Sequence, residues 1–184
     1  MKKTMKKLAC LALAFVMALS IIVVASPSDA SAASVKKVTA TKSYKKAPAL
    51  KTGNNKVTMP KNWYYVKYKA PKKGTYVFTF TNIQSTNANK ENGFGAINLM
   101  KWNGNYMQYT KVKTNGGKKC DTLWICTNRN WKNGVKERFK DPTTDYTYKR
   151  TATITLKKGE TIYITGCYSG NKTKYNFMVN VKKK

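Results

Sequence analysis

Two groups of aromatic residues have the composition and spacing that could bind a carbohydrate. The candidate ligand-binding residues are Trp102, Tyr106, Tyr109, Arg129, Trp131 and Lys132. Asn residues are interleaved with the rings in both groups. Carbohydrate sites pair a flat ring for stacking with amides for hydrogen bonding, so both groups fit that chemistry. The alternative is that Trp102 and Trp131 only cover an edge of the fold.

The sequence lacks the residues of the common catalytic sets. It has 184 residues, no His, and seven Asp and Glu in total. Without imidazole there is no Ser-His-Asp or Cys-His nucleophile and no His-ligated zinc. The scattered carboxylates select no pair for glycoside hydrolysis and disfavour a calcium site. We therefore expect no enzyme activity, no metal site and no cofactor.

The charge predicts a polyanionic partner. The formal net charge is +29, and only three of the 36 basic residues are Arg. Arg offers a planar fork for bidentate recognition, whereas Lys is a hydrated point charge. A single outward-facing lysine can be explained as a residue that keeps its strand soluble. The net charge of the whole chain, however, far exceeds the value of about 2–8 that solubility needs. We expect diffuse adhesion to an anionic cell-wall polymer or an acidic glycan, and no sequence-specific nucleic-acid binding.

The first residues predict export. Lysines at positions 2, 3, 6 and 7 precede an apolar stretch over residues 8–25, and Ala30-Ser31-Ala32 supplies a cleavage pattern. We assign residues 1–32 to a signal peptide; an uncleaved membrane anchor is the alternative. Removing them leaves a net charge of +26 and no second membrane-spanning stretch. The mature protein is expected to be secreted, either extracellular or associated with the cell wall.

Charge and export alone would also suit a cationic antimicrobial protein or toxin. The usual membrane-disrupting device of such proteins is an amphipathic basic helix. We find no convincing helical period over eleven or more residues of the mature sequence. The antimicrobial function is therefore a less favoured third class.

Three cysteines remain after cleavage, so at most one intramolecular disulfide can form. Cys126 and Cys167 each lie in a strand-like segment. They are the candidate disulfide pair in an oxidising compartment, and the alternative is that both are small buried hydrophobes.

Alternating polarity predicts the elements that position these residues. Residues 63–70 and 75–83 alternate and are joined by a Pro71–Gly74 turn, which predicts a hairpin with one buried face. The aromatic residues of the second segment, at 76, 78 and 80, share that face. Residues 148–156 and 161–167 alternate around another turn, and 174–181 form a closing strand. We expect Trp63, Trp124 and most strand tyrosines to be buried.

Short strands at turn-marked intervals predict an all-β fold, an antiparallel β-sandwich or jelly-roll-like domain. We assign residues 33–53 to a linker or loose first strand and residues 54–184 to the sandwich. Residues 128–145 form a long insertion loop within it.

Two sequence motifs carry a resemblance to a known family. The first is Trp63-Tyr64-Tyr65-Val66-Lys67-Tyr68-Lys69-Ala70-Pro71-Lys72-Lys73-Gly74-Thr75-Tyr76-Val77-Phe78-Thr79-Phe80, and the second is Ala152-Thr153-Ile154-Thr155-Leu156-Lys157-Lys158-Gly159-Glu160-Thr161-Ile162-Tyr163-Ile164. Residues 50 to 183 resemble the bacterial pre-peptidase C-terminal domain, a secreted β-sandwich module. The resemblance implies a noncatalytic accessory module, often one that attaches to an insoluble matrix. Some relatives hold calcium by carboxylates near the domain start, but residues 33–63 contain no Asp or Glu.

Overall fold

The alternating segments fold as strands. The computed structural model describes residues 34–86, 93–115, 117, 119–127, 147–169 and 174–184. The strands are β1 (Lys36–Thr39), β2 (Gly53–Met59), β3 (Val66–Lys69), β4 (Gly74–Ser85), β5 (Phe94–Trp102), β6 (Met107–Tyr109), β7 (Val112–Thr114), β8 (Lys119–Cys120), β9 (Thr122–Cys126), β10 (Lys149–Leu156), β11 (Thr161–Ser169) and β12 (Tyr175–Lys183). The described residues contain no helix, and the predicted all-β class is confirmed.

The strands form two stacked sheets within a unit spanning Val35–Lys184. The seven-stranded sheet has the order β1-β2-β12-β4-β10-β7-β8, and the five-stranded sheet has the order β3-β11-β5-β6 with β9 also pairing to β5. All pairs are antiparallel except β1 with β2. The architecture is that of a β-sandwich, as predicted.

The core lies between the sheets and follows the period of two. On β4, Tyr76, Phe78 and Phe80 are buried, as the alternation predicts. Tyr68 of β3 packs edge-on against Phe78, with ring centroids 5.5 Å apart, so the two sheets meet through aromatic contacts. Edge-to-face packing of this kind adds about 0.5–1.5 kcal/mol beyond the area buried. The side chains between Tyr76, Phe78 and Phe80 therefore face the outside of the sandwich.

The predicted hairpin of residues 63–70 with 75–83 is wrong. β3 pairs with β11 in the five-stranded sheet, whereas β4 pairs with β10 and β12 in the seven-stranded sheet. The turn after Ala70 thus crosses from one sheet to the other. The connection from β10 to β11 makes the same crossing beside it, and the amide of Ala70 donates to the carbonyl of Glu160 at 2.9 Å. The two arches close one end of the sandwich.

The segment expected to be a linker or loose first strand takes part in the sandwich. β1 pairs with β2 along all four of its residues. The chain after it runs along the edge of β3, where the amide of Leu50 donates to the carbonyl of Lys67 at 2.7 Å. Ala47 and Leu50 are buried there. Residues 35–53 therefore belong to the folded unit.

The predicted disulfide between Cys126 and Cys167 is not formed. Cys126 is on β9 and Cys167 on β11, and β5 lies between these strands and pairs with both. Two strand spacings separate the cysteine backbones by about 10 Å. A disulfide needs Cα atoms within about 7 Å, so the sheet itself keeps the two apart.

Two predicted segments, the signal peptide over 1–32 and the insertion over 128–145, lie outside the described residues. Among the residues that are described, no helix is long and apolar enough to span a membrane.

Candidate binding surface

Three of the candidate residues come together on the hairpin of β5 and β6. Trp102 ends β5, Tyr109 lies on β6, and Tyr106 lies in the turn between them. Their side chains are 44%, 50% and 59% exposed. The Asn103 side chain shapes the turn, because its Oδ1 accepts hydrogen bonds from the amides of Asn105 at 3.0 Å and Tyr106 at 2.9 Å. Because these hydrogen bonds form within the turn, the turn holds its shape without a neighbouring strand and leaves the Tyr106 ring exposed to solvent.

Tyr44 joins this hairpin from the chain between β1 and β2. Its ring stacks on Trp102 with centroids 5.3 Å apart and planes at 21°. The same ring meets Tyr163 edge-on at 5.8 Å and Tyr65 at 6.4 Å. We call this set the aromatic patch. Its members are Tyr44, Tyr65, Trp102, Tyr106, Tyr109 and Tyr163.

The patch lies on the outer face of the five-stranded sheet. Ile162 and Ile164 point into the core, so Tyr163 between them points outward. Tyr163 is in register with Lys67 on one side and Met100 on the other, and Met100 is in register with Tyr109. This row crosses four strands and spans about 14 Å at the usual strand spacing. Met100 is buried and Tyr163 half-buried, so the part of the patch that a ligand can reach is formed chiefly by Trp102, Tyr106 and Tyr109.

Lysines surround the patch. Tyr44 is flanked by Lys42, Lys45 and Lys46, all exposed, and Lys67 continues the row that contains Tyr163. The pairing of rings with ammonium groups allows stacking and charge attraction on the same ligand.

The carboxylates of the described residues, Asp121 and Glu160, are engaged elsewhere. Glu160 pairs with Lys101 and also accepts the backbone amide of Lys157 at 2.7 Å. The hydrogen bond from Lys101, followed by that from the Lys157 amide, holds the pKa of Glu160 below its ordinary value. Asp121 accepts a hydrogen bond from the Thr122 hydroxyl at 3.1 Å. Among the described residues, therefore, no carboxylate forms an ion pair with the lysines around Tyr44.

The structure gives no position for the second group of candidate binding residues. Arg129, Trp131 and Lys132 lie outside the described residues. Nor do the described residues gather three His, Cys, Asp or Glu side chains in one place, where they could hold a metal ion.

Trp63 was expected in the core, but it is 49% exposed. It precedes β3 with a φ of 63°, and its amide donates to the carbonyl of Gly166 at 2.8 Å. Trp124, also expected in the core, is half-buried, because Leu123 and Ile125 occupy the inward positions of β9. Both expectations are wrong: strand phase places the Trp124 ring away from the core, whereas Trp63 lies in a turn before β3 and not on a strand.

Sequence reasoning missed Tyr44, Tyr65 and Tyr163. The signal for Tyr163 was present, because the apolar phase of Ile162 and Ile164 places it on the opposite face. Tyr44 had no such signal, since it stands alone among Lys, Ala and Pro in a segment without alternation.

No protein-family model matches the chain, and the search of curated proteins found no match either. Among solved structures, the fold is similar to that of CorA, a surface-associated copper-binding protein important in Methylomicrobium album BG8 copper acquisition. The identity is 11%, the match covers 80% of this chain and 100% of that chain, and the TM-score is 0.42. A similarity at that level carries no inference about function.

Proposed function

We propose that this protein is a secreted, noncatalytic binding module that attaches to an anionic matrix, either a cell-wall polymer or an acidic glycan. The aromatic patch is the contact surface, and the surrounding lysines supply the attraction. The carrying observation is the stack of Tyr44 on Trp102 in the middle of exposed lysines. Export to the extracellular side or the cell wall follows from the signal peptide expected over residues 1–32.

The lysines and the aromatic rings contribute to binding in two different ways. Surface lysines raise the local concentration of a polyanion and speed its encounter, an effect that salt screens within about 8 Å at physiological ionic strength. Rings stacked against a sugar add apolar contact that salt does not weaken. A module with both features should lose most, but not all, of its retention as salt rises.

A neutral carbohydrate is the second candidate ligand. The stacked pair and the exposed rings of Tyr106 and Tyr109 favour it, because stacking on a sugar face needs no charge. The two candidates differ in their response to salt.

The test is a pull-down of the secreted protein on insoluble cell walls and on beads of an acidic glycan, washed with NaCl from 0.05 to 1 M as a chosen series. We expect elution to rise with salt. Trp102→Ala should weaken binding about tenfold, while Trp102→Tyr, which keeps a ring, should weaken it less.

Two variants that lose the same number of lysines at different places test the contribution of charge. Replacing Lys42, Lys45 and Lys46 by Gln should weaken binding more than replacing Lys72, Lys73 and Lys158, three exposed lysines of the two arches. Retention that molar salt leaves unchanged would refute the anionic partner, and competition by a neutral glycan would then favour the second candidate.

A further inference from the structure

A groove separate from the aromatic patch lies on the outer face of the seven-stranded sheet. It is a groove of about 340 Å³ formed by β1, β2, the end of β4 and the start of β12. Its lining residues are Lys37, Val38, Thr39, Lys56, Thr58, Thr86, Lys174 and Asn176. A smaller hollow of about 150 Å³ shares Lys56 and Asn176 with it. The groove is therefore basic and rich in hydroxyl groups, with no aromatic ring among its lining residues.

Lys37 and Lys56 stand directly opposite each other on the paired strands β1 and β2. Both are exposed, and the next residue on each strand, Val38 and Val57, points into the core, so the two lysines lie on the outer face. Like charges in opposite positions of neighbouring strands destabilise a sheet. The one ion pair among the described residues joins Lys101 and Glu160, so no described carboxylate relieves this repulsion. An anion bound between the two ammonium groups would relieve it.

Further donors complete the groove. Lys174 brings a third ammonium group, and its carbonyl accepts the amide of Thr86 at 3.2 Å, which fixes that wall. The Thr58 hydroxyl donates to Oδ1 of Asn176 at 2.8 Å, which leaves the amide NH₂ of Asn176 available to a ligand. Hydroxyls of Thr39 and Thr86 line the same space. The donor-bearing residues come from β1, β2, the start of β12 and the chain next to β4 and β12, and they line one volume.

This set of donors suits phosphate. A phosphate group has several acceptor oxygens in a tetrahedral arrangement, and Lys binds it as a point charge. The fork of Arg matches carboxylates and phosphates alike, and no Arg lines the groove, so binding there depends on ammonium groups and hydroxyls placed around a tetrahedral group. We infer that the groove is a phosphate-binding site that takes the phosphodiester units of a polyol-phosphate polymer. The inference rests on the proposed function and names the anion and a site separate from the aromatic patch.

The test follows backbone amide chemical shifts in the secreted protein at about 0.15 M NaCl, where diffuse attraction is screened. The probes are glycerol 3-phosphate, a short poly(glycerol phosphate), an oligogalacturonate and glycerol. We expect both phosphate probes to shift amides of β1, β2 and β12, with the polymer bound more tightly. Glycerol should shift none, and the carboxylated oligomer should bind the groove more weakly than the phosphate polymer.

The variant Lys37→Gln, Lys56→Gln, Lys174→Gln should lower phosphate affinity about tenfold or more. The control variant Lys72→Gln, Lys73→Gln, Lys158→Gln loses the same charge and should change it less than about twofold. The replaced lysines are all exposed, and the amide spectrum reports whether each variant is folded. Equal losses in both variants, or shifts that map outside the groove, would overturn the inference.

A third variant separates the inference from the proposed function. Trp102→Ala should leave the phosphate shifts unchanged, because Trp102 lies on the other sheet. If phosphate shifts are absent while anionic glycan retention still depends on Trp102, the groove fails and the proposed function stands. Tight binding of glycerol 3-phosphate with no gain for the polymer would contradict the polymer as the ligand.

Discussion

Tyr44 stacks on Trp102 with ring centroids 5.3 Å apart and ring planes at 21°. One ring comes from the chain after β1 and the other from the end of β5, so the contact forms only when the edge of the five-stranded sheet is folded. The contact therefore couples the order of the 41–50 segment to the shape of the aromatic patch.

A double-mutant cycle measures this coupling. Tyr44→Ala and Trp102→Ala should each lower the free energy of unfolding, and the double variant should lose less than the sum. The expected coupling energy is about 0.5–1.5 kcal/mol, as for other aromatic pairs. Urea denaturation gives the three values. The pair Tyr44→Ala with Tyr106→Ala serves as the control and should be additive, and an additive Tyr44–Trp102 pair would mean that the stack contributes nothing.

The pair of Lys101 and Glu160 should make stability depend on pH in the acid range. Because the folded-state pKa of Glu160 is lowered, the pair contributes fully above the unfolded pKa of about 4.3 and loses its contribution as pH falls through the folded pKa. Glu160→Gln should cost about 0.5 kcal/mol at pH 7, a small value because the pair is at the surface. Urea denaturation at pH 7 and below pH 3 should show this difference vanishing on the acid side. A difference that persists there would assign the effect to the hydrogen bond with the Lys157 amide rather than to the charge.

Gly166 marks a close approach of β11 to β5. A Cβ at this position would collide with the carbonyl oxygen of Ala96 and lie 3.0 Å from Cδ1 of Ile97. In open space Gly→Ala stabilises by about 0.4–1 kcal/mol through the unfolded chain. Here the collision with backbone should reverse the sign and cost about 1–3 kcal/mol. Thermal unfolding of Gly166→Ala, with the neighbouring Cys167→Ala as control, tests this; a raised Tm would contradict the packing of β11 on β5.

The period of two was enough to identify which side chains are buried, as Tyr76, Phe78 and Phe80 illustrate. It was not enough to pair the strands, because a Pro–Gly turn fits a hairpin and an arch between sheets equally well. The choice between them depends on distant strands, since β11 and β12 supply the partners of β3 and β4.

Some residues of the candidate site were likewise predictable from local sequence, and others were not. Trp102, Tyr106 and Tyr109 were predictable because they lie on one short hairpin with its own turn residues. Tyr44 was not, because its role depends on where the chain between β1 and β2 runs along β3. The groove between Lys37 and Lys56 was equally hidden, since nothing local indicates that β1 and β2 pair in parallel.

The two sheets are stacked, and their outer faces point in opposite directions. The aromatic patch occupies one of these faces and the lysine groove the other, so a straight polymer strand that fills one site cannot reach the second. A module that uses both sites would hold two strands at once, one on each side of its thickness. In a matrix of many strands such a molecule would act as a cross-link, retained by two attachments instead of one.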